Sequence, residues 1–178
     1  APEEDTAPRR YRDRFPAGQL KQGLNADPSR VTTLDTKRMP NQPKDDDILQ
    51  HGLFASYFLL DAPPHEMFSQ GKDPFSSEPA LKRIDRLIDF PKRESFNLAS
   101  YKGNVAAQWE GLLHVKEAQT LTFVLGLDSS GALVIDDQLV IFNSIDQHYN
   151  ELHASVELAA GYHSIRVEHM DRKEDNEF

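Results

Sequence analysis

Several groups of residues in this chain invite a catalytic reading, and their spacing decides against each. His148, Glu151 and His153 come within one residue of His-x-x-Glu-His, the spacing with which a helix turns two imidazoles toward one zinc ion. Here the interval is wrong and the stretch carries no helical period. Gly126-Leu127-Asp128-Ser129-Ser130-Gly131 similarly misses the Gly-x-Ser-x-Gly nucleophile elbow by one residue, and no helix follows it. Neither Gly-x-Gly-x-x-Gly nor a phosphate-binding glycine loop occurs. The chain contains no cysteine, which removes disulfides, thiolate metal ligands and cysteine nucleophiles and leaves the redox compartment open. The reading is therefore of a chain that is not an enzyme.

The elements that must position any site are short runs of β-forming residues between turn residues. Residues 52–60 read as a strand, as do 105–115, which hold Trp109, and 120–127, which set Leu121, Phe123, Leu125 and Leu127 on one face. Residues 132–142 read as a hairpin turning at Asp136-Asp137. Residues 155–158 and 163–169 continue the series, with Ile165, Val167 and His169 facing one way and Ser164, Arg166 and Glu168 the other. Alternating strands with turn signals at this interval predict an antiparallel β-sandwich or barrel. One segment departs from the pattern: residues 77–88 open on Ser77 with a proline in the first turn, and Leu81, Ile84 and Ile88 share a helical face. The spacing predicts a short helix there, entering a brief strand over 87–90. The expected core comprises Trp109, Phe123, Leu125, Leu133, Ile135, Ile165 and Val167. Trp109, the only tryptophan, sits in an apolar alternation that favours packing over ligand stacking.

With 178 residues there is room for one ordinary domain, or for a domain of roughly 130 residues carrying an arm. Twenty Lys and Arg face 29 Asp and Glu, a net charge of −9, so a nucleic-acid binder led by phosphate contacts is not expected. No apolar run approaches the roughly 20 residues a membrane helix needs, so no membrane span is expected. The first residues are Ala1-Pro2 rather than methionine, which reads as processing, excerpting or renumbering.

Residues 1–48 hold Pro2, Pro8, Pro16, Pro28, Pro40 and Pro43 and no sustained apolar period, and their charges balance. The negative charge belongs to residues 49–178. The expected organisation is thus an extended proline-rich arm over 1–48, without a core of its own, and a sandwich over 49–178. Arg9-Arg10-Tyr11-Arg12-Asp13-Arg14 is a basic cluster that reads as a solvated charge run, a protease-sensitive site or a dock for an acidic surface. Such an arm is expected to be ordered by docking on its own body or on another copy.

The order and wording of these elements resemble a known module. Gly52-Leu53, Tyr57-Phe58, Asp85 and Ile88-Asp89-Phe90 come first, followed by Gln108-Trp109-Glu110-Gly111-Leu112-Leu113. Then come Thr122-Phe123, the stretch Asp128-Ser129-Ser130-Gly131-Ala132-Leu133-Val134-Ile135-Asp136, the strand 138–141, and Leu158-Ala159-Ala160-Gly161-Tyr162-His163-Ser164-Ile165-Arg166-Val167-Glu168. Together they resemble the PA-fourteen domain, a β-sandwich named after anthrax protective antigen and found in yeast flocculins, adhesins and some glycosidases. The resemblance covers about 50–173 and none of the arm. Gly111 and Gly161 fall where strands begin or bend, as backbone positions that exclude a side chain would. At the hairpin the family's usual Asp-Gly is replaced by Asp136-Asp137, which predicts a wider or different turn, because positive φ costs a non-glycine residue about 1 kcal/mol.

In lectin members, two successive aspartates before the hairpin, joined by a cis peptide, hold a calcium ion that grips sugar hydroxyls. Anchored on Leu133-Val134-Ile135-Asp136, that pair falls on Asp128 and Ser129, so the second carboxylate is missing. The family's other calcium loop follows the strand containing Glu168, and its oxygen ligand falls on Asp171, with Asp175 and Asn176 near. The resemblance thus implies ligand binding by Asp128, Ser129 and Asp171, with Asp128 and Asp171 as the metal carboxylates. Calcium takes six to eight oxygen ligands, and Ser129 predicts low affinity or none. The resulting expectation is a non-catalytic carbohydrate-binding or adhesion module of a secreted or cell-surface protein, with a glycan or protein partner. The alternative is an assembly subunit that makes inter-subunit contacts through residues 1–48 and binds no glycan. The residues end at Phe178, before the further strand the family usually supplies after this loop, and an open edge there reads either as a fragment or as a site that a partner strand completes.

Overall fold

The computed structural model describes residues 8–16, 29–90, 98, 103–144 and 149–171. Among the described residues nine strands form two sheets: β1 (Val31–Thr33), β2 (Leu53–Leu60), β3 (Leu81–Asp85), β4 (Asn104–Val115), β5 (Gln119–Leu127), β6 (Ser130–Ile135), β7 (Gln138–Asn143), β8 (Asn150–Leu158) and β9 (Gly161–Asp171). The larger sheet runs β3-β2-β4-β9-β6-β7 and the smaller β1-β8-β5. All pairings are antiparallel except β1 with β8, where Val31 stands level with Ser155. The fold is a β-sandwich, as the alternation predicts.

Period-two alternation builds the main core between the sheets. Ala55, Tyr57, Ala107, Trp109, Leu133, Ile135 and Val167 from the large sheet meet Ala154, Val156 and Leu158 from the small one. Trp109, Leu133, Ile135 and Val167 are buried. Phe123, Leu125 and Ile165 are partly buried and pack against that cluster.

The outer face of the large sheet carries a second core that alternation alone does not announce. Phe58, Leu60, Ala106, Ala132, Val134, Leu139, Phe142 and Met170 point away from the small sheet and are buried all the same. A short helix, α1 (Pro64–Ser69), covers part of this face with Phe68, and residues 8–16 cover more with Tyr11 and Phe15. Two-sided burial explains why β6 and β7 read as continuous apolar runs. Helix α1 starts on Pro64, whose fixed φ and missing N–H suit a first turn, and stops at Gly71 with φ of 70°.

The structure corrects the helix expected over 77–88 and the strand expected over 87–90. Residues 81–85 are strand β3, paired with β2 from Leu53↔Asp85 to Tyr57↔Leu81, and 87–90 carry no regular structure. The apolar i, i+3 spacing misled because Ile84 lies on the exposed side of an edge strand. Arg83 and Asp85, the polar positions of that helix, instead turn inward to Tyr57 and Trp109. Phe90 stacks on Trp109 with ring centroids 5.8 Å apart.

The β6–β7 hairpin turns in the tightest way available. Ile135 pairs with Gln138, and both Asp136 and Asp137 take positive φ, 50° and 57°. Asp136 is held there by its surroundings. Its Oδ1 accepts from the Ser164 N–H at 2.9 Å, its Oδ2 lies 2.6 Å from His163 Nδ1, and its own N–H donates to Ser164 O. Gly161, with φ of 124°, leaves the space into which Gln42 reaches to bond the backbone of Tyr162. At Gly111 a Cβ would come within 2.6 Å of the Leu53 side chain.

Candidate functional site

Antiparallel pairing decides which loops share an end of the sandwich. Strand β5 finishes at Leu127 and β6 begins at Ser130, so Asp128 and Ser129 make the bend between the two sheets. Ser130 stands level with Met170 of β9, so the Asp128-Ser129 bend and the end of β9 at Asp171 lie at the same end of that ladder. Asp171 is itself level with Val105 at the start of β4. The register therefore brings the three residues implied by the family resemblance to one end of the large sheet.

Their environments differ. Asp128 is exposed, Asp171 is half-buried, and Ser129 is buried, with its carbonyl accepting from Asn143 Nδ2 at 2.8 Å. Behind them His169 lies level with Gly131 and Ala107 on the inner face. Burial pushes its imidazole pKa below the ordinary value, and the Asp128 charge opposes that shift. No peptide among the described residues is cis.

A calcium ion at this end would be held by Asp128 and Asp171. Among the described residues no three His, Asp or Glu side chains cluster to hold a metal. The Ser129 carbonyl already carries a hydrogen bond, and the serine stands where the family pattern has a carboxylate. The described donor set thus falls short of the six to eight oxygens calcium requires. Asp175 and Asn176 lie outside the described residues.

The remaining candidates from the sequence resolve simply. Glu151 and His153 lie on strand β8, 3.7 Å apart, with Tyr149 donating to Glu151 at 3.0 Å; His148 lies outside the described residues. Gly126 and Gly131 belong to different strands, β5 and β6, rather than to a strand-to-helix turn. No helix among the described residues is long and apolar enough to cross a membrane.

Two polar clusters were not anticipated. Asp85 receives the Trp109 indole N–H at 2.9 Å, the Tyr57 hydroxyl, and Arg83 Nε at 2.6 Å. Burial alone would raise the Asp85 carboxyl, but these three donors hold it below the ordinary carboxylate value; Tyr57 is pushed up by burial and by Asp85. On the outer face Glu168 is completely buried, accepting from Arg14 at 2.7 Å, Tyr11 Oη at 3.2 Å and Gln108 Nε2 at 3.2 Å, with Arg166 Nε 3.3 Å away. Arg14 also pairs with Asp73. The available signal for this second cluster was the run of consecutive apolar residues in β6 and β7, which requires something to cover both faces.

Comparison with known proteins agrees with this architecture. No curated protein matches the chain significantly. Among solved structures, an anti-sigma factor domain-containing protein aligns with a TM-score of 0.54 at 23% identity, over 72% of this chain and 42% of its own. The chain thus spans less than half of that relative. The PA14 sugar-binding domain from an RTX adhesin aligns with a TM-score of 0.54 at 17% identity, over 68% of this chain and 82% of its own. The PA14 domain of the MpAFP antifreeze protein does so with 0.54 at 18%, over 73% and 81%. At these identities the structural likeness establishes the fold. The sequence pattern of the PA14 domain matches residues 67–177, more than half of the 178, and by that match the chain belongs to the PA14 domain family.

Proposed function

We propose that this chain is a non-catalytic carbohydrate-binding or adhesion module of a secreted or cell-surface protein, and that its ligand meets the loop end formed by Asp128, Ser129 and Asp171. The observation that carries the reading is the β6–β9 register, which sets the Asp128-Ser129 bend beside Asp171. The sugar-binding domain of the RTX adhesin lends support from a chain of the same fold. Exposed and half-buried carboxylates at one rim present acceptors to sugar hydroxyls, which are paired donors on a small polar ligand. With serine at position 129, affinity for calcium is expected to be low, and the carboxylates accept directly from the sugar.

The test is a glycan array on the full chain, with calcium and with chelator, followed by calorimetry with calcium alone and with the best glycan. Binding that survives chelation and is lost in Asp128→Ala supports the reading. Absence of glycan binding at millimolar ligand in both conditions removes it.

A further inference from the structure

We propose that the groove on the outer face of the large sheet is an exchangeable recognition site for the segment Tyr11-x-x-Arg14-Phe15, and that residues 8–16 of a second copy of this chain can fill it. The groove reads three side chains. Tyr11 enters an aromatic socket, stacked on Phe142 at 5.1 Å and beside Phe68 at 5.9 Å, with its hydroxyl donating to Glu168. Phe15 meets Phe142 edge-on at 5.7 Å. Arg14 lies over the Phe75 ring at 4.4 Å and places its guanidinium between Glu168 and Asp73. The 3-10 turn over Tyr11–Arg14 brings residues at this spacing to one face.

The demand comes from the sheet. Glu168 has no exposed surface, and a buried carboxylate needs charged donors that it cannot take from water. Arg14 meets that need. Yet among the described residues the segment joins no strand ladder: its backbone bonds, Asp13 N–H to Arg10 O and Phe15 N–H to Arg12 O, are internal. It is held by side chains and leaves without unzipping a strand. Charge favours the same occupant, since Arg9, Arg10, Arg12 and Arg14 outnumber Asp13 while the body is acidic. Residues 17–30 separate the segment from β1, and a chain of that length spans up to about 50 Å when extended. Tethering gives a chain's own segment an effective concentration on the order of millimolar, so exchange between copies needs high local concentration.

The experiment uses the full chain. Tyr11→Ala/Arg14→Ala disables the segment and leaves the groove intact, and a labelled peptide of residues 8–16 is titrated into it by fluorescence anisotropy. Saturable binding is expected, weakened at least about thirty-fold when the peptide carries Arg14→Ala. A variant that is folded by circular dichroism overturns the proposal if it ignores the peptide at millimolar concentration or binds both peptides equally. Should the variant not fold, the unsubstituted chain carrying a specific protease site within 17–28 is folded and then cut. Exchange of its N-terminal piece for labelled peptide supports the proposal, and retention of that piece without exchange overturns it. Sedimentation of the unaltered chain tests the second copy as occupant. A concentration-dependent dimer that Arg14→Ala abolishes is expected, and a monomer at every concentration to millimolar overturns it.

Discussion

His169 ties the candidate site to the core. Burial holds its imidazole below the ordinary value of 6.5, while the Asp128 charge pulls the other way. An imidazole that binds its proton less readily folded than unfolded contributes stability above its unfolded pKa, and that contribution is lost as pH falls through the folded one. NMR titration should therefore place His169 below a free histidine, and Asp128→Asn should lower it further; a variant shift in the opposite direction would count against their proximity. Trp109→Ala should cost about 3–5 kcal/mol by chemical denaturation, as expected for an indole that is 2% exposed and donates to Asp85. The tryptophan's burial was legible in the sequence because a lone indole in an apolar alternation has few other uses. Its partner was not, because Asp85 lies 24 residues earlier on a strand whose apolar spacing resembled a helix.

Strands were read well where apolar residues alternate or run between turn residues, including β6 and β7, which are covered on both faces, and poorly at the edge strand β3. Strand β5 follows period two closely, while β4 and β9 are buried on both faces where residues 8–16 and α1 cover the sheet. Strand β3, at an edge, buries polar side chains and exposes Ile84, which inverts the usual pattern. The β6–β7 hairpin offers a direct test of how context overrides propensity. Both turn residues sit at positive φ, and the Asp136 carboxylate is occupied by Ser164 and His163. Asp137→Gly should raise stability by about 1 kcal/mol, read from the denaturation midpoint. Asp136→Gly should lower it, because the loss of buried partners outweighs the relief of backbone strain.

At the scale of the molecule, the sandwich was legible and the second core was not. Glu168 follows Ser164 and Arg166 on the outward side of β9 and reads as a solvent-facing charge; only the packing of α1 and residues 8–16 over that face makes it a buried one. The family match begins at residue 67 and does not include Tyr11, Arg14 or Phe15. The three candidate site residues were placed by the family pattern, since isolated polar residues in a bend or at a strand end have no periodicity to reveal them. Arg14→Ala, which leaves a fully buried carboxylate short of its closest cation, should cost about 3–5 kcal/mol in equilibrium unfolding. A cost near zero would mean that water or Arg166 replaces it.

The sequence of attachments along the chain also fixes how the domain responds to tension. A pull on the N-terminus reaches the side-chain anchors at Tyr11, Arg14 and Phe15 before it reaches the parallel pairing of β1 with β8, and the sandwich comes after both. Extraction of the anchors frees residues 8–30 to extend to at most about 75 Å of chain while the sheets stay whole. The domain would then behave under load as a fused extender: a short, refoldable give at low force, followed by a stiff body that keeps the Asp128–Asp171 rim in place.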